Sequence, residues 1–163
     1  MMLKVFRQIL TWLLVAAAIS LAVDYLRKPA LPQNFSTTPL QTLEGQTVDL
    51  AAMSHERPLL LYVWATWCSI CRYTTPAVAA LANDDGNVMT VALRSGDNAT
   101  LTRWLTHKKL ALPTINDANG QLSQRWEVQV TPTVVVISRG EVKSVTTGWT
   151  SGWGMRLRLW LAS

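Results

Sequence analysis

Three short runs of apolar residues stand out from a more polar background. They are Leu59–Ala65, Val88–Leu93 and Thr133–Ser138, and none of them contains a charged residue. Continuous runs of six or seven residues rich in Val, Leu, Tyr and Trp are typical of strands that are buried on both faces. The pattern therefore predicts three central strands of a sheet.

The segments between these runs predict helices, shorter strands and turns. Helices are predicted over Ser69 to about Asn83, from Asn98 or Thr100 to about Lys108, over Gln121–Trp126 and over Ser151–Leu161. Further strands are predicted at Leu40–Thr42, Thr47–Leu50, Leu112–Ile115 and Glu141–Thr147. Strands that alternate with helices and end in a hairpin and a helix predict an α/β fold with a mixed sheet.

An uncharged apolar segment near the amino terminus, Ile9–Val23, predicts a membrane anchor. A spanning helix needs about 20 mostly apolar residues, and Lys4 and Arg7 before the run favour a cytoplasmic amino terminus. We therefore expect residues 1–28 to form an uncleaved signal-anchor, which crosses the inner membrane once and leaves the remaining chain in the periplasm. The alternative is a signal peptide that is cleaved near Ser20–Ala22.

The segment that follows predicts a linker and then one domain. Residues 29–39 contain three prolines and no charge, which is typical of an extended linker. Residues 40–163 are then expected to form the globular domain, because domains usually hold roughly 100–200 residues.

Most of the net positive charge belongs to the predicted anchor. The chain of 163 residues has a formal net charge of +5; residues 1–28 contribute +3 (four basic, one acidic) and the other 135 contribute +2 (eleven basic, nine acidic). The isoelectric point of about 9.6 therefore gives little support for nucleic-acid binding. Only 15% of the residues are charged and the mean hydropathy is +0.16, which disfavours an intrinsically disordered chain.

Two cysteines, Cys68 and Cys71, lie where a predicted buried strand turns into a helix, and they are too few to staple a small fold. A thiol at the first turn of a helix faces unpaired N–H groups and the positive end of the helix dipole, which stabilise a thiolate. Helical spacing brings the second thiol within reach of the first. We therefore interpret Cys68 as an attacking nucleophile and Cys71 as the thiol that resolves the mixed disulfide.

Metal binding is the alternative use of these thiols. A zinc site usually needs four ligands, and the two histidines of the chain, His55 and His107, are distant from the pair in sequence. Two thiolates alone can hold Cu(I), which is a soft ion, so a Cu(I) carrier stays open as a second hypothesis. The sequence predicts no cofactor and no other metal site.

The sequence around the cysteines resembles the active-site segment of thioredoxin-fold proteins. The matching positions, in chain order, are Trp67, Cys68, Cys71, Pro76, Thr131 and Pro132. The resemblance implies a thioredoxin fold, in which helices flank a mixed central sheet and a cis-proline loop at Thr131-Pro132 lies beside the cysteines. It also implies that the backbone of this loop docks the substrate chain as an added strand, on a surface that Trp67 helps to shape.

Within this superfamily the chain resembles the membrane-anchored TlpA-like branch over about residues 34–163. The anchor and the Cys68-Ser69-Ile70-Cys71 pair together are most similar to the suppressor of copper sensitivity protein D group. That resemblance implies a thiol–disulfide oxidoreductase that acts on protein disulfides or oxidised cysteines. It further implies electrons from a transmembrane thiol-transfer protein of the DsbD/ScsB type and a link to copper stress tolerance.

Three features of the chain depart from these relatives. Tyr62 replaces the buried Asp that thioredoxin carries six residues before its first cysteine, and Thr74 replaces the Glu usual in the cytochrome c maturation reductases of this branch. A phenol and a hydroxyl are poor bases at neutral pH, so we expect a high thiol pKa at Cys71, and a role in cytochrome c maturation is disfavoured. Ser69-Ile70 contains no histidine, which argues against a strongly oxidising pair.

The eight tryptophans are expected to serve mainly in packing. Trp64, Trp104 and Trp126 fall in predicted core segments. Trp149, Trp153 and Trp160 are expected to pack the last helix against the domain, and a surface that touches a membrane or a partner is the alternative.

Overall fold

The structure is a computed structural model that describes residues 2–26 and 38–163. Helix α1 covers Met2–Leu26 and includes the uncharged apolar run. Within the described ranges, no helix has the length and apolarity that crossing a membrane requires. The predicted linker 29–39 lies outside the described residues, apart from its last two positions.

Residues 38–163 fold into short strands and helices that alternate along the chain. The strands are β1 (Leu40–Gln41), β2 (Thr47–Val48), β3 (Leu59–Trp64), β4 (Val88–Leu93), β5 (Thr114–Asp117), β6 (Thr133–Ser138) and β7 (Glu141–Thr147). The helices are α2 (Leu50–Met53), α3 (Cys71–Asn83), α4 (Asn98–His107), α5 (Gln121–Arg125) and α6 (Gly152–Leu161).

A mixed five-stranded sheet forms the centre of this domain, as the sequence predicts. Its strand order is β5-β4-β3-β6-β7, and β1 and β2 form a separate small hairpin. β3, β4 and β5 run parallel, whereas β6 is antiparallel to β3 and β7 is antiparallel to β6. β3 is thus the central strand, and both of its neighbours shield its backbone from water.

The central strand is buried on both faces and divides the core in two. Leu61 and its alternate neighbours on β3 pack with α2 and α5 on one face of the sheet. Tyr62 and Trp64 pack on the other face with α3, α4 and α6, in the same cluster as Cys71. This alternation is the period of two that a strand imposes on its side chains. It places the face with α3 next to the cysteines.

The predicted elements agree closely with the structure where burial is strong. The limits of β4, β6 and β7 are those predicted, whereas β5 begins two residues later than expected. Helix α4 is capped by Asp97 rather than by Asn98 or Thr100, because the Asp97 carboxylate accepts a hydrogen bond from the Thr100 N–H at 2.7 Å. The four-residue helix α2 was not predicted.

Tryptophan packing differs from expectation at the carboxyl end. Trp64 and Trp126 are buried, as predicted. Trp149, Trp153 and Trp160 are exposed, with 86% of Trp153 accessible to solvent, so the expectation that they pack against the domain is wrong. The buried side of α6 is instead occupied by Met155, which the core on the α3 face encloses completely.

Replacing Leu61 by Ala tests the central position of β3. Leu61 is fully buried, so we expect Leu61→Ala to lower the free energy of unfolding by about 2–5 kcal/mol, through lost transfer free energy and the cavity left behind. Urea denaturation followed by circular dichroism measures this change. Leu157→Ala on α6, where 54% of the side chain is exposed, is the matched control and should cost much less. Equal losses in the two variants would contradict the assigned core.

Candidate active site

Cys68 and Cys71 lie at the junction between the central strand and helix α3. Cys68 falls in the loop that follows β3, and Cys71 is the first residue of α3. The two residues form a disulfide, with their Cα atoms 5.3 Å apart. Cys68 is partly buried, whereas only 2% of Cys71 is accessible to solvent. The two sulfurs therefore differ in how readily another molecule can reach them.

The start of α3 gives the Cys68 sulfur a polar partner. The Cys71 N–H donates a hydrogen bond to Cys68 Sγ at 3.2 Å, and N–H groups at a helix start have no partner within the helix. A negative charge at this position is stabilised by that N–H and by the helix dipole. The same geometry in the dithiol form would favour a thiolate on Cys68.

Two hydrogen bonds attach the cysteine loop to the loop that follows β4. Trp67 donates from Nε1 to the Arg94 carbonyl oxygen at 3.1 Å, and the Thr66 N–H donates to Ser95 Oγ at 2.9 Å. Trp67 keeps 62% of its surface exposed although its ring nitrogen is held. Its ring is therefore a fixed apolar surface next to Cys68, and Ile70 adds a second exposed apolar side chain.

The Thr131-Pro132 peptide bond is cis, in agreement with the predicted cis-proline loop. β6 starts at Thr133, which pairs with Val63 near the end of β3, so this loop leaves the sheet at the edge from which the cysteine loop also leaves. The Gly148 N–H donates to the Pro132 carbonyl at 2.8 Å and ties the loop to the end of β7. Thr131 is partly buried and Pro132 is buried.

A cavity of about 590 Å³ opens beside the cysteines. It is lined by Trp67, Cys68, Ser69, Cys71 and Pro76 among the residues that the sequence analysis selects. Thr131, Pro132 and Ile70 do not line it, and the loop of Thr131 and Pro132 is a separate feature of the same edge. The cavity thus brings most of the predicted motif together.

Helix α4 supplies the part of the cavity that sequence reasoning did not identify. Trp104 and Lys108 line it from α4, together with Arg72 from α3. Trp104 packs on Trp64 with ring centroids 5.2 Å apart, and Lys108 Nζ lies 6.0 Å from the centroid of Trp104. From the sequence, Lys108 is predicted only as the approximate end of a helix. The spacing of four residues between Trp104 and Lys108 puts them on one helix face, and this was the available signal.

Comparison with known proteins assigns the chain to a family. The family model for the AhpC/TSA family matches residues 31–145. The chain belongs to the AhpC/TSA family. It is 40% identical to a thioredoxin-like protein of Haemophilus influenzae over 159 residues, which cover 98% of this chain and 95% of that protein.

A second relative narrows the assignment within the family, and a solved structure shows the same fold. The thiol:disulfide interchange protein DsbE of Pseudomonas fluorescens biotype C is 30% identical over 132 residues, covering 76% of this chain and 73% of that protein. A secreted disulfide oxidoreductase of Mycobacterium tuberculosis superposes with a TM-score of 0.65 at 21% identity, covering 78% of this chain and 97% of that chain. The chain has the thioredoxin fold, and it is a thiol–disulfide oxidoreductase of the DsbE/ResA type.

In the core that encloses Cys71, this oxidoreductase has neutral hydroxyl groups. Tyr62 is buried, and its hydroxyl lies 2.9 Å from Thr75 Oγ1. Burial raises the pKa of Tyr62 to about 12, although the hydrogen bond with Thr75 acts in the opposite direction. Tyr62 therefore keeps its proton at neutral pH and is no base for the Cys71 thiol.

Thr74 has a buried hydroxyl without a partner. Its side chain is fully buried, and Oγ1 makes no hydrogen bond to any of the residues that the structure describes. An unsatisfied buried hydroxyl costs about 1–3 kcal/mol. Thr74 thus occupies the position at which the cytochrome c maturation reductases usually carry a Glu. It adds neither a charge nor a hydrogen bond to the described core.

The described ranges of this oxidoreductase were compared with the ligand sets that metal ions need. No group of three or more His, Cys, Asp or Glu side chains is arranged to hold a metal ion among residues 2–26 and 38–163. His55 and His107 therefore do not join the cysteines in a ligand set. The Cu(I) hypothesis is left with the two thiols alone.

Adjacent threonines on α3 give opposite predictions for the same substitution. Thr74→Val removes the unpartnered hydroxyl at nearly constant volume, so we expect the free energy of unfolding to rise by about 1–2 kcal/mol. Thr75→Val leaves the Tyr62 hydroxyl without its partner, so we expect a fall of about 1–3 kcal/mol. Urea unfolding of the oxidised proteins measures both changes. Two changes of the same sign would contradict the assigned hydrogen bonding.

The raised pKa of Tyr62 predicts a loss of stability at alkaline pH. Above pH 10 the unfolded chain releases the Tyr62 proton while the folded protein keeps it up to about pH 12, so the unfolding free energy falls across this interval. The loss is roughly 2–3 kcal/mol, at about 1.4 kcal/mol per pKa unit. Tyr62→Phe should flatten the pH profile of unfolding, and Tyr73→Phe, which alters an exposed tyrosine, should not. Parallel profiles for wild type and Tyr62→Phe would contradict the prediction.

Proposed function

We propose that this protein reduces disulfides or oxidised cysteines of periplasmic proteins, with Cys68 as the attacking nucleophile and Cys71 as the resolving thiol. The observation that carries the proposal is the difference between the two sulfurs. Cys68 is the more accessible residue and its sulfur accepts the Cys71 N–H, whereas Cys71 is enclosed by the core. A nucleophile must reach its target, and a resolving thiol needs to reach only Cys68.

The reaction proceeds through two exchanges in this proposal. The Cys68 thiolate attacks one sulfur of the substrate disulfide, a mixed disulfide forms, and the other substrate sulfur leaves as a thiolate that takes a proton from water. Cys71 then loses its proton to water and attacks the Cys68 sulfur, which releases the second substrate thiolate. The enzyme dithiol becomes the disulfide seen here, and two electrons pass to the substrate.

The substrate chain docks at the edge of the sheet that holds both active-site loops. Thr131 and Pro132 are proposed to offer backbone groups to an extended peptide, which is the general mode of strand addition. Exposed apolar side chains on both sides support this position: Trp67 and Ile70 on the cysteine loop, and Val130 before the cis peptide. Pro76 is proposed to support the motif from within α3, where it also lines the cavity.

The location and the electron source are part of the same proposal. The uncharged run Ile9–Val23 after Lys4 and Arg7 supports an inner-membrane anchor in residues 1–28, followed by a linker (29–39) and a periplasmic domain (40–163). The solved relative from Mycobacterium tuberculosis is described as secreted, which agrees with an exported domain. A transmembrane thiol-transfer protein of the DsbD/ScsB type is the proposed electron donor.

The proposed direction is reduction, and the proposed setting is copper stress. The absence of histidine in Ser69-Ile70 supports a pair that is not strongly oxidising. Resemblance to the suppressor of copper sensitivity protein D group supports the setting, because copper ions oxidise protein thiols. No contact among the described residues favours the Cu(I) carrier over redox exchange.

Trapping with Cys71→Ser tests the assigned roles. Without the resolving thiol, we expect mixed disulfides between Cys68 and periplasmic proteins to accumulate in the membrane fraction and to disappear on treatment with dithiothreitol. Non-reducing electrophoresis with mass spectrometry identifies the partners.

Cys68→Ser is the matched control for this experiment and should trap far less, because Cys71 is buried. Equal trapping by the two variants would contradict the assignment of the nucleophile. If neither variant traps a partner while the wild type binds Cu(I) with high affinity, the carrier hypothesis replaces the redox proposal.

A further inference from the structure

The charged residues that line the cavity beside the cysteines are all basic. Two cations, Arg72 and Lys108, line it, and no acidic residue does among the described part of the chain. The ion pairs found in the same ranges involve other cations, namely Arg57, Lys143 and Arg156. The two charges that face the cavity are therefore not neutralised by carboxylates of the described residues.

Lys108 lies over an aromatic ring at the wall of the cavity. Its ammonium group lies 6.0 Å from the ring centroid of Trp104, which stacks in turn on Trp64. Trp64 is fully buried, and its Nε1 donates to Thr90 Oγ1 at 3.2 Å. This arrangement gives the cation a fixed aromatic floor, while Lys108 itself remains exposed.

The cavity has the dimensions of a peptide subsite. A volume of about 590 Å³ lies within the range of about 300–1,000 Å³ that is typical of ligand pockets. Cys68 and Trp67 form part of its wall, so a chain joined to Cys68 by a mixed disulfide would have neighbouring residues within reach of the cavity. Carboxylates are the groups that Arg and Lys side chains recognise.

We propose that this cavity binds an acidic segment of the partner protein, so that the enzyme prefers disulfides whose reacting cysteine is flanked by Asp or Glu. The inference rests on the proposed function, because it needs Cys68 as the point of attack. Lys108 and Arg72 act here as binding residues that orient the partner. The bonds made and broken are those of the two exchanges described above.

Three peptides that differ only in charge test the proposal. Each peptide contains one intramolecular disulfide. The residues that flank the reacting cysteine are Glu in the first peptide, Gln in the second and Lys in the third. The reduced full-length protein in detergent reacts with each peptide in a single turnover, and the released thiols are measured by chromatography.

At low ionic strength we expect the Glu peptide to react about fivefold faster than the Gln peptide, and the Lys peptide to be the slowest. The preference should vanish near 1 M salt, where the screening length is about 3 Å.

The Lys108→Gln variant tests whether the preference for the Glu peptide depends on the charge in the cavity. This variant should reduce the Glu-to-Gln rate ratio to about twofold or less. Lys143→Gln makes the same change in net charge at an exposed position of β7 and should leave the ratio at its wild-type value.

Distinct outcomes overturn the inference and the proposed function. Equal rates for the Glu and Gln peptides with the wild type overturn the inference alone. An equal effect of Lys108→Gln and Lys143→Gln also overturns it, because the preference would then reflect net charge rather than the cavity. If the reduced protein reacts with none of the three peptides, the proposed redox function fails.

Discussion

The antiparallel pairing of β3 with β6 is the constraint on which the active site depends. Its register puts Val63 opposite Thr133, so the cysteine loop and the cis-proline loop leave the sheet at the same edge. Every residue of β3 is buried, and a shift by one position would exchange the faces of the sheet that Leu61 and Tyr62 occupy. The core that fixes this register therefore also fixes the relation between Pro132 and the cysteines.

The two cysteines have unequal surroundings. The Cys68 sulfur lies at the start of α3 and receives an N–H, whereas Cys71 lies in a core with Tyr62, whose pKa burial raises to about 12. A carboxylate at either Tyr62 or Thr74 would place a charge in a fully buried position, which is costly without a partner. The hydroxyl side chains avoid that cost, which is why the proposed reaction uses water as the proton acceptor for Cys71.

The sequence predicts those parts of the fold that depend on local burial, and it predicts less of what depends on tertiary contacts. The limits of β4 and β6 follow from uncharged runs, and the cis bond before Pro132 follows from family resemblance. The exposure of Trp153 was not predictable, because a pattern of apolar residues does not say whether another element covers them. The cavity was missed for a related reason: Lys108 joins it because α4 packs on the same face of the sheet as α3.

The two cations that line the cavity belong to different parts of the chain: Arg72 lies on α3, and Lys108 directly follows α4. Arg72 follows Cys71 directly on α3, so its charge acts on the thiols as well as on any bound peptide. Lys108 lies at the end of α4 and reaches the cavity over the Trp104 ring. Because Lys108 is not part of α3, a substitution there changes the charge of the cavity without replacing a residue of the helix that begins at Cys71. In the proposed function, partner selectivity can therefore change at Lys108 while the start of α3, which is proposed to stabilise the Cys68 thiolate, stays the same.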